Sequence, residues 1–264
     1  MFGYSGKHVV VLGGASGIGA AAAQQAIQAG ARVTVLDIAE PAFAADRFIR
    51  IDLREQASVD AAVAELSGPV DCLFSCSGVA NGTPGLLRIN FIGQRHLIER
   101  LLDNGALGRG AAVVVISSVA GFGWQQDLDR LKALLAVPDW AGQQTWAEAN
   151  DTNPDVRTES YLFSKRAVCA YVASSAHRFM NEGVRLNAIL PGPTDTPLAR
   201  ANASVWLAHA EAYRADLGLP HLTPDEMASV MLFLGSGAAS GIAGENLVID
   251  RGQTWSAVTG SFGG

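Results

Sequence analysis

The sequence predicts a single α/β domain, residues 1–264, built on a doubly wound parallel sheet of about seven strands. Short, nearly continuous apolar runs recur along the chain, helical segments separate them, and 29 of the 264 residues are glycine. Apolar strands without polar alternation are typical of a parallel sheet that is covered on both faces. Alternation of strands and helices over the whole length favours one sheet and one domain.

The elements follow in order. Apolar, β-branched runs predict strands at His8–Leu12, Arg32–Asp37, Arg47–Asp52, Val70–Ser75, Ala111–Ser117, Val184–Leu190 and Glu245–Asp250. The segments between them predict helices at Ser16–Ala29, Glu55–Leu66, Ile89–Leu102, Ser160–Asn181 and 224–234. The last helix opens on a capping box, Thr223 and Glu226, with proline at its first position. The Gly- and Ser-rich stretch Ser256–Gly264 predicts a loose tail.

Charge and cysteine usage narrow the function classes. A net charge of −6 without a basic run gives no electrostatic footprint for nucleic acid or anionic lipid. Three cysteines form no CxxC pair and five histidines show no metal-ligand spacing, which predicts a reducing compartment and no metal site. The uncharged stretch from Val9 to Ala31 holds five glycines, so it predicts a strand, a loop and a helix rather than a signal peptide or membrane span. A cytoplasmic protein with a small-molecule partner is expected.

A glycine-rich loop follows the first predicted strand. Glycine allows a tight turn and close approach to a pyrophosphate, and the following helix N-terminus supplies N–H donors. Asp37 closes the second strand 18 residues after Gly19, where a carboxylate would bind the adenosine ribose hydroxyls and repel a 2′-phosphate. No Lys or Arg lies between Lys7 and Arg32, so the pattern predicts a Rossmann-type site for NAD rather than NADP. The loop residues expected to bind are Gly13, Ser16, Gly17, Ile18 and Gly19.

Tyr161 and Lys165 are four residues apart on a predicted helix, which places a phenol and an ammonium on one face. A nearby cation stabilises a phenolate, so the pKa of Tyr161 is expected to fall towards working pH. Ser118 lies at the end of the fifth predicted strand, where ligands of open parallel sheets bind. Its hydroxyl could polarise a substrate carbonyl. The alternatives are that Tyr161 and Lys165 are an ordinary pair on a helix and that Ser118 is a simple turn residue.

Together, the glycine loop, the Ser118 strand end and the Tyr161-x3-Lys165 pair resemble the short-chain dehydrogenase/reductase family over nearly the full length. The resemblance implies that Tyr161 takes the proton of an alcohol, Ser118 binds the substrate oxygen and Lys165 holds the nicotinamide ribose. It implies that Asn90 completes a catalytic tetrad and positions a water. It also implies a homodimer or homotetramer, and further cofactor contacts from Asp52, Leu53, Ser77, Gly78, Lys165, Pro191, Thr194 and Thr196.

The chain departs from the family pattern at four places. Leu12 stands where a threonine usually precedes the first glycine, and Ser75-Cys76-Ser77-Gly78 replaces Asn-Asn-Ala-Gly. These two changes remove side-chain hydrogen bonds between neighbouring strands, which predicts a less rigid sheet edge. Arg251 interrupts the usual Asp-Gly-Gly after the last strand. The fourth departure is the long separation of Ser118 from Tyr161.

An insertion at about residues 122–158 accounts for that separation and holds Trp124, Trp140 and Trp146. Both of its ends lead to catalytic residues, so it is expected near the mouth of the site. It could form an aromatic wall for a bulky substrate, a subunit contact or a self-packed excursion. Its length and placement resemble bacterial coniferyl-alcohol dehydrogenases and 3α-hydroxysteroid dehydrogenase/carbonyl reductases. A second expected wall, about residues 197–222, contains Trp206.

The predicted function is NAD-dependent interconversion of a bulky apolar, aromatic alcohol and its carbonyl, of the coniferyl-alcohol type. The alternatives within the family are a 3α-hydroxysteroid dehydrogenase/carbonyl reductase and a terpene alcohol dehydrogenase. A non-catalytic dinucleotide-binding protein is less favoured because all four tetrad residues are present. An NADP-dependent reductase is less favoured because of Asp37.

Overall fold

The computed structural model describes residues 3–153 and 156–262, and these residues form a seven-stranded parallel sheet with helices on both faces. The strand order is β3-β2-β1-β4-β5-β6-β7, and every pair is parallel. The sheet reverses its winding between β1 and β4, as in doubly wound folds. The strands are β1 (His8–Leu12), β2 (Arg32–Asp37), β3 (Arg47–Arg50), β4 (Cys72–Ser75), β5 (Ala112–Ile116), β6 (Arg185–Pro191) and β7 (Asn246–Ile249).

Eleven α-helices lie between and after these strands in the described part of the chain. Six of them precede β6: α1 (Gly17–Gln28), α2 (Gln56–Glu65), α3 (Gly93–Asp103), α4 (Leu128–Leu135), α5 (Trp140–Ala149) and α6 (Tyr161–Asn181). The remainder are α7 (Pro197–Ala201), α8 (Ala203–Trp206), α9 (Glu211–Leu217), α10 (Pro224–Gly235) and α11 (Gln253–Val258). A π-helical turn, Arg88–Ile92, leads directly into α3.

Two hydrophobic cores lie on opposite faces of the sheet, because successive strand residues point in opposite directions. In β1, Val9 and Val11 face the core formed with α1 and α10. Val10 and Leu12 face the second core, formed with α2, α3 and α6. All five residues of β1 are buried, which explains why the strand carries no polar alternation.

The predicted fold class is confirmed, and the element bounds differ at a few places. β3 ends at Arg50 rather than Asp52, because the Asp52 carboxylate accepts a hydrogen bond from the Arg54 backbone N–H and turns the chain. The capping box at the start of α10 is present. The prediction of a loose tail is wrong for Ser256–Val258, which are helical in α11. Residues 263 and 264 of that predicted tail lie outside the described residues.

The insertion between β5 and α6 consists of a 3-10 turn, Trp124–Asp127, followed by α4 and α5. It packs onto the outer face of α6. Arg166 forms an ion pair with Asp127 at 2.5 Å, and the Arg130 guanidinium lies over the Phe163 ring at 4.7 Å. The insertion therefore packs against α6 of the same chain, as part of the domain.

Within residues 3–153 and 156–262, no helix combines the length and apolar character that crossing a membrane requires. The same part of the chain brings together no group of three or more His, Cys, Asp or Glu side chains that could hold a metal ion.

Candidate active site

A cleft of about 910 Å³ opens at the carboxyl ends of the parallel strands. This is the edge where open α/β sheets bind ligands. The predicted cofactor residues all line it: Gly13, Ser16, Gly17, Ile18, Gly19, Asp37, Asp52, Leu53, Ser77, Gly78, Lys165, Pro191, Thr194 and Thr196. Ser118, Tyr161 and Trp206 also line it. The topology thus brings residues from across the chain into one cavity.

The glycine loop fits a nucleotide because side chains cannot occupy its turn. A Cβ on Gly13 would lie 2.6 Å from the backbone nitrogen of Ser77, and one on Gly19 would lie 2.1 Å from the carbonyl oxygen of Gly13. Gly13 and Gly17 also adopt positive φ values of 74° and 54°, which glycine permits. The loop leads straight into the N-terminus of α1, whose free N–H groups suit a pyrophosphate.

Asp37 sits at the end of β2 with its carboxylate beside the glycine loop. One oxygen accepts a hydrogen bond from the Ala15 N–H at 2.9 Å, and the other accepts from the Ala39 N–H at 3.1 Å. The carboxylate therefore braces the loop as well as lining the cleft, a second role that spacing alone does not predict. Ile38 follows it and is half exposed at the rim.

Asp52 and Arg54 form a bidentate ion pair farther along the same wall, with the shortest contact 2.6 Å. The Arg54 guanidinium holds the pKa of the Asp52 carboxyl below its usual range. Arg54 is thus a basic residue in the cleft that the sequence pattern did not predict. Its charge is matched by Asp52 rather than left for a phosphate.

The predicted catalytic side chains meet where β5 and α6 approach each other. Ser118 follows β5, Tyr161 begins α6, and Lys165 lies one turn further, with its Nζ 5.4 Å from the centroid of the tyrosine ring. The Lys165 ammonium is 2% exposed and donates a hydrogen bond to the Ile116 carbonyl at 3.0 Å. This arrangement holds a phenol, a hydroxyl and a buried cation at one end of the cleft.

Burial has the largest effect on the pKa values of Tyr161 and Lys165. It raises the pKa of Tyr161 to about 12, although the hydrogen-bonded Ser118 hydroxyl lowers it in part. It lowers the pKa of Lys165 to about 8. The expectation that the pKa of Tyr161 falls towards working pH is therefore wrong for the chain by itself, because desolvation outweighs the hydrogen bond with Ser118.

Asn90 lies behind the site rather than in it. The side chain is fully buried in the π-helical turn, accepts from the Val79 N–H at 2.8 Å and donates to the Val79 carbonyl at 3.0 Å. Its amide also donates to the Ser164 hydroxyl at 3.1 Å, which in turn donates to the Tyr161 carbonyl at 2.7 Å. Asn90 thus links the loop after β4 to the first turn of α6, and π turns are frequent at functional sites.

The unusual Ser75–Gly78 segment has its own hydrogen bonds. The Ser75 hydroxyl donates to the Gln94 side-chain oxygen at 2.7 Å, and the Gln94 amide donates to the Ser77 carbonyl at 3.0 Å. Both Ser75 and Gln94 are buried. Gln94 therefore connects the carboxyl end of β4 to α3. These hydrogen bonds compensate for those that the asparagine side chains of the usual family sequence would make.

The four predicted substrate tryptophans separate into two groups. Trp140 is 6% exposed and packs edge-on against His96, Trp146 stacks on Phe163, and Trp124 packs against the α6-side core. None of these three lines the cleft. Trp206 does, and its ring centroid lies 4.6 Å from that of Tyr161. Only the second predicted wall thus supplies a tryptophan to the site.

Two family models match most of the chain. The model described as short chain dehydrogenase matches residues 7–127, and the model described as enoyl-(acyl carrier protein) reductase matches residues 147–254. A coniferyl-alcohol dehydrogenase from a Pseudomonas species is 31% identical over 252 residues, which cover 93% of this chain and 96% of that protein. The chain belongs to the short-chain dehydrogenase/reductase family.

Other short-chain dehydrogenases are similar over comparable lengths. A 3-alpha-hydroxysteroid dehydrogenase/carbonyl reductase from Comamonas testosteroni is 34% identical, covering 92% of this chain and 95% of its own. The crystal structure of a 3-alpha-hydroxysteroid dehydrogenase from a Pseudomonas species, complexed with NADH, superposes with a TM-score of 0.78 at 26% identity, covering 97% and 99% of the two chains. This short-chain dehydrogenase is an oxidoreductase of alcohols that uses a nicotinamide nucleotide.

Sequence reasoning missed several residues that build this site. The Asn81 side chain accepts from the Tyr161 N–H at 2.7 Å and so fixes the first turn of α6. Helix α11 forms part of the substrate side of the cleft through Gln253, Thr254, Ala257 and Val258. Nothing local marks Asn81, which is 80 residues from its partner, and the short α11 lacks a strong periodic pattern.

Proposed function

We propose that this short-chain dehydrogenase oxidises a bulky apolar alcohol with an aromatic ring, of the coniferyl-alcohol type, using NAD. One observation carries the proposal: the Trp206 ring lies against Tyr161 at 4.6 Å, so an aromatic surface borders the reacting phenol. The adjoining wall is apolar and includes Phe122, Leu198 and Val205. Offset or tilted aromatic pairs add favourable energy beyond the area they bury.

The chain's own groups suit removal of a proton from the substrate. Bound NAD would supply the acceptor for the hydride of the carbinol carbon. Ser118 donates a hydrogen bond to the substrate oxygen, and the Tyr161 oxygen takes the hydroxyl proton in its ionised form. The positive charge of bound NAD beside the site would favour that form against the raised pKa of Tyr161 in the chain by itself. Lys165 holds the ribose and adds positive charge beside the phenolate. Asn90, through Ser164, keeps the first turn of α6 in place.

The preference for NAD rests on Asp37. A carboxylate at the end of β2 accepts hydrogen bonds from a ribose diol and repels a 2′-phosphate. Arg54 does not favour a phosphate strongly, because Asp52 already accepts hydrogen bonds from the Nε and Nη2 edge of its guanidinium and neutralises its charge. The residue after Asp37 is Ile38, which supplies no charge for a phosphate.

A 3α-hydroxysteroid is the second candidate substrate. The 34% identity to a 3-alpha-hydroxysteroid dehydrogenase/carbonyl reductase supports it, as does the TM-score of 0.78 to a 3-alpha-hydroxysteroid dehydrogenase. A rigid apolar body of several rings also suits an apolar wall. The coniferyl type is preferred because Trp206 offers a flat ring beside the reacting phenol.

The subunit arrangement and location complete the proposal. The insertion covers Phe163 and Arg166 on α6. We therefore expect a homodimer rather than a tetramer, with a molar mass from light scattering near twice 27.5 kDa. A cytoplasmic location fits three free cysteines, of which Cys72 and Cys169 are buried.

The deciding experiment measures NADH formation with coniferyl alcohol, cinnamyl alcohol and a 3α-hydroxysteroid, for the wild type and for Tyr161→Phe. Loss of the phenolic oxygen should lower kcat by about 10²–10⁴-fold, because a positioned acid–base group contributes that much. Tyr171→Phe is the matched control, since the buried Tyr171 hydroxyl has no hydrogen-bond partner among the described residues. Retention of a tenth of wild-type kcat by Tyr161→Phe would contradict the assignment.

A further inference from the structure

One pair of polar side chains lines the cleft among mostly apolar residues, on the side formed by the 197–222 segment and α11. His209 comes from the segment between α8 and α9, and Gln253 begins α11; both line the cleft. The His209 Nε2 and the Gln253 side-chain nitrogen are 3.3 Å apart. Around them, the wall is formed by apolar residues such as Val205, Ala257 and Val258.

The side chains of His209 and Gln253 retain hydrogen-bond donors and an acceptor that their mutual contact does not use. Within the described part of the chain, neither side chain makes another hydrogen bond besides the contact between them. An amide has two N–H donors and an acceptor oxygen, and an imidazole has a second ring nitrogen. After the contact between them, an acceptor and at least two donors remain for another polar group.

Backbone conformation singles out the same place. Of the described non-glycine residues, Ala210 and Arg251 alone have positive φ values, 66° and 58°. Ala210 directly follows His209, and Arg251 lies two residues before Gln253. Such conformations disfavour side chains and cluster at functional sites, where the surrounding structure holds them.

The structure holds Arg251 firmly. Its guanidinium donates to the Pro220 carbonyl and to the Glu226 carboxylate, both at 2.7 Å, and its carbonyl accepts from the Tyr213 hydroxyl at 3.0 Å. The end of the substrate loop and the start of α11 are therefore fastened together by contacts that do not involve His209 or Gln253. The side chains of His209 and Gln253 therefore line the cleft, but the contact between the substrate loop and α11 does not depend on them.

We propose that His209 and Gln253 form a subsite for a second polar group of the substrate, a phenolic or alcoholic hydroxyl at the end opposite the reacting carbinol. The inference rests on the proposed function and extends it to the substrate class. A hydroxyl both donates and accepts, so it can satisfy the amide oxygen and a ring nitrogen together. An apolar wall would otherwise disfavour burying such a group.

The test compares 4-hydroxycinnamyl alcohol with cinnamyl alcohol, which differ only by the distal hydroxyl. The wild type should have a kcat/KM roughly 3–10-fold higher for the hydroxylated substrate, the range that one neutral hydrogen bond supplies. His209→Leu and Gln253→Leu should each reduce this ratio towards one. Ser256→Ala, on the same helix and outside the cleft lining, is the matched control and should keep the wild-type ratio.

The outcomes separate the two proposals. If the wild type oxidises neither alcohol, the proposed function fails. If it oxidises both with equal kcat/KM, or if the leucine variants lower both values by the same factor, the subsite is overturned and the proposed function stands. Should either variant not fold, 4-methoxycinnamyl and 4-methylcinnamyl alcohols with the wild type replace it. A kcat/KM for the 4-methyl compound equal to that of the 4-hydroxy compound would then overturn the subsite.

Discussion

The buried ammonium of Lys165 gives a quantitative prediction about stability. Lys165→Met removes the charge and keeps a straight apolar chain in α6. Burial lowers the pKa of this lysine from 10.5 to about 8. Between those pH values the unfolded protein binds more protons than the folded protein, so the free energy of unfolding rises with pH. Below pH 8 the ammonium is charged in both states, and the folded protein bears the full penalty of its burial.

The size of the effect follows from the same two pKa values. Their difference, at 1.36 kcal/mol per pH unit, corresponds to about 3 kcal/mol over the whole window. The Ile116 carbonyl loses its donor in the variant, which costs about 1 kcal/mol and does not depend on pH. Lys165→Met should therefore be about 1–3 kcal/mol more stable than the wild type at pH 7, while losing catalysis.

Urea unfolding followed by circular dichroism at pH 7, 8, 9 and 10, without cofactor, measures the effect. The stability advantage of Lys165→Met should shrink by about 2–3 kcal/mol from pH 7 to pH 10. Burial also raises the pKa of Tyr161 and of Cys76, so folded-state stability declines above pH 9, but this decline is common to both proteins and cancels in the difference. Lys132→Met, at an exposed position of α4, is the control. A difference between wild type and Lys165→Met that does not change with pH would refute the reasoning.

Three further predictions concern the cleft and the insertion. Asp37→Ala should weaken NADH binding about 10–150-fold in a fluorescence titration, since hydrogen bonds to a charged acceptor contribute about 1.5–3 kcal/mol. The ratio of the Kd for NADPH to the Kd for NADH should fall in the same variant. Tighter binding of NADPH than of NADH by the wild type would contradict this prediction. Trp206→Ala should raise KM for aryl alcohols about tenfold in steady-state kinetics and leave the Kd of NADH unchanged, because the ring lies against Tyr161 on the proposed substrate side of the cleft. An unchanged KM would remove Trp206 from the proposed substrate wall. Trp140→Ala should lower the free energy of unfolding by about 3–5 kcal/mol with little change in KM, because the ring is packed inside the domain. A tenfold rise in KM at wild-type stability would instead place Trp140 at the substrate.

Local sequence determined much of this structure. Strand β1 could be predicted to the residue, because four apolar residues follow His8 and end at a glycine loop whose backbone admits no side chain. The capping box of α10 was equally predictable, since Thr223 and Glu226 bond within one turn. The Tyr161–Lys165 pair was visible because helical spacing alone brings the two residues to one face.

Features that depend on distant parts of the chain could not be predicted in the same way. Asn81 supports Tyr161 across 80 residues, and His209 meets Gln253 across 44. The tryptophans of the insertion could equally have faced a cleft or a core, since aromatic content does not specify a direction. The pKa of Tyr161 depends on how deeply the ring is buried, and only packing determines that.

The self-packed insertion also bears on how the chain folds. Pairing of β5 with β6 closes a loop of about 70 residues, whereas the same crossover without residues 122–158 would close about 30, a difference of about 0.7 kcal/mol in closure entropy. That difference slows β5–β6 pairing about threefold if the insertion is still unfolded when the strands meet. Contacts such as Arg130 over Phe163 and Arg166 with Asp127 join the insertion to the start of α6, within about 40 residues of chain. If they form first, the strands meet across a shorter effective loop, and the insertion costs little in folding rate.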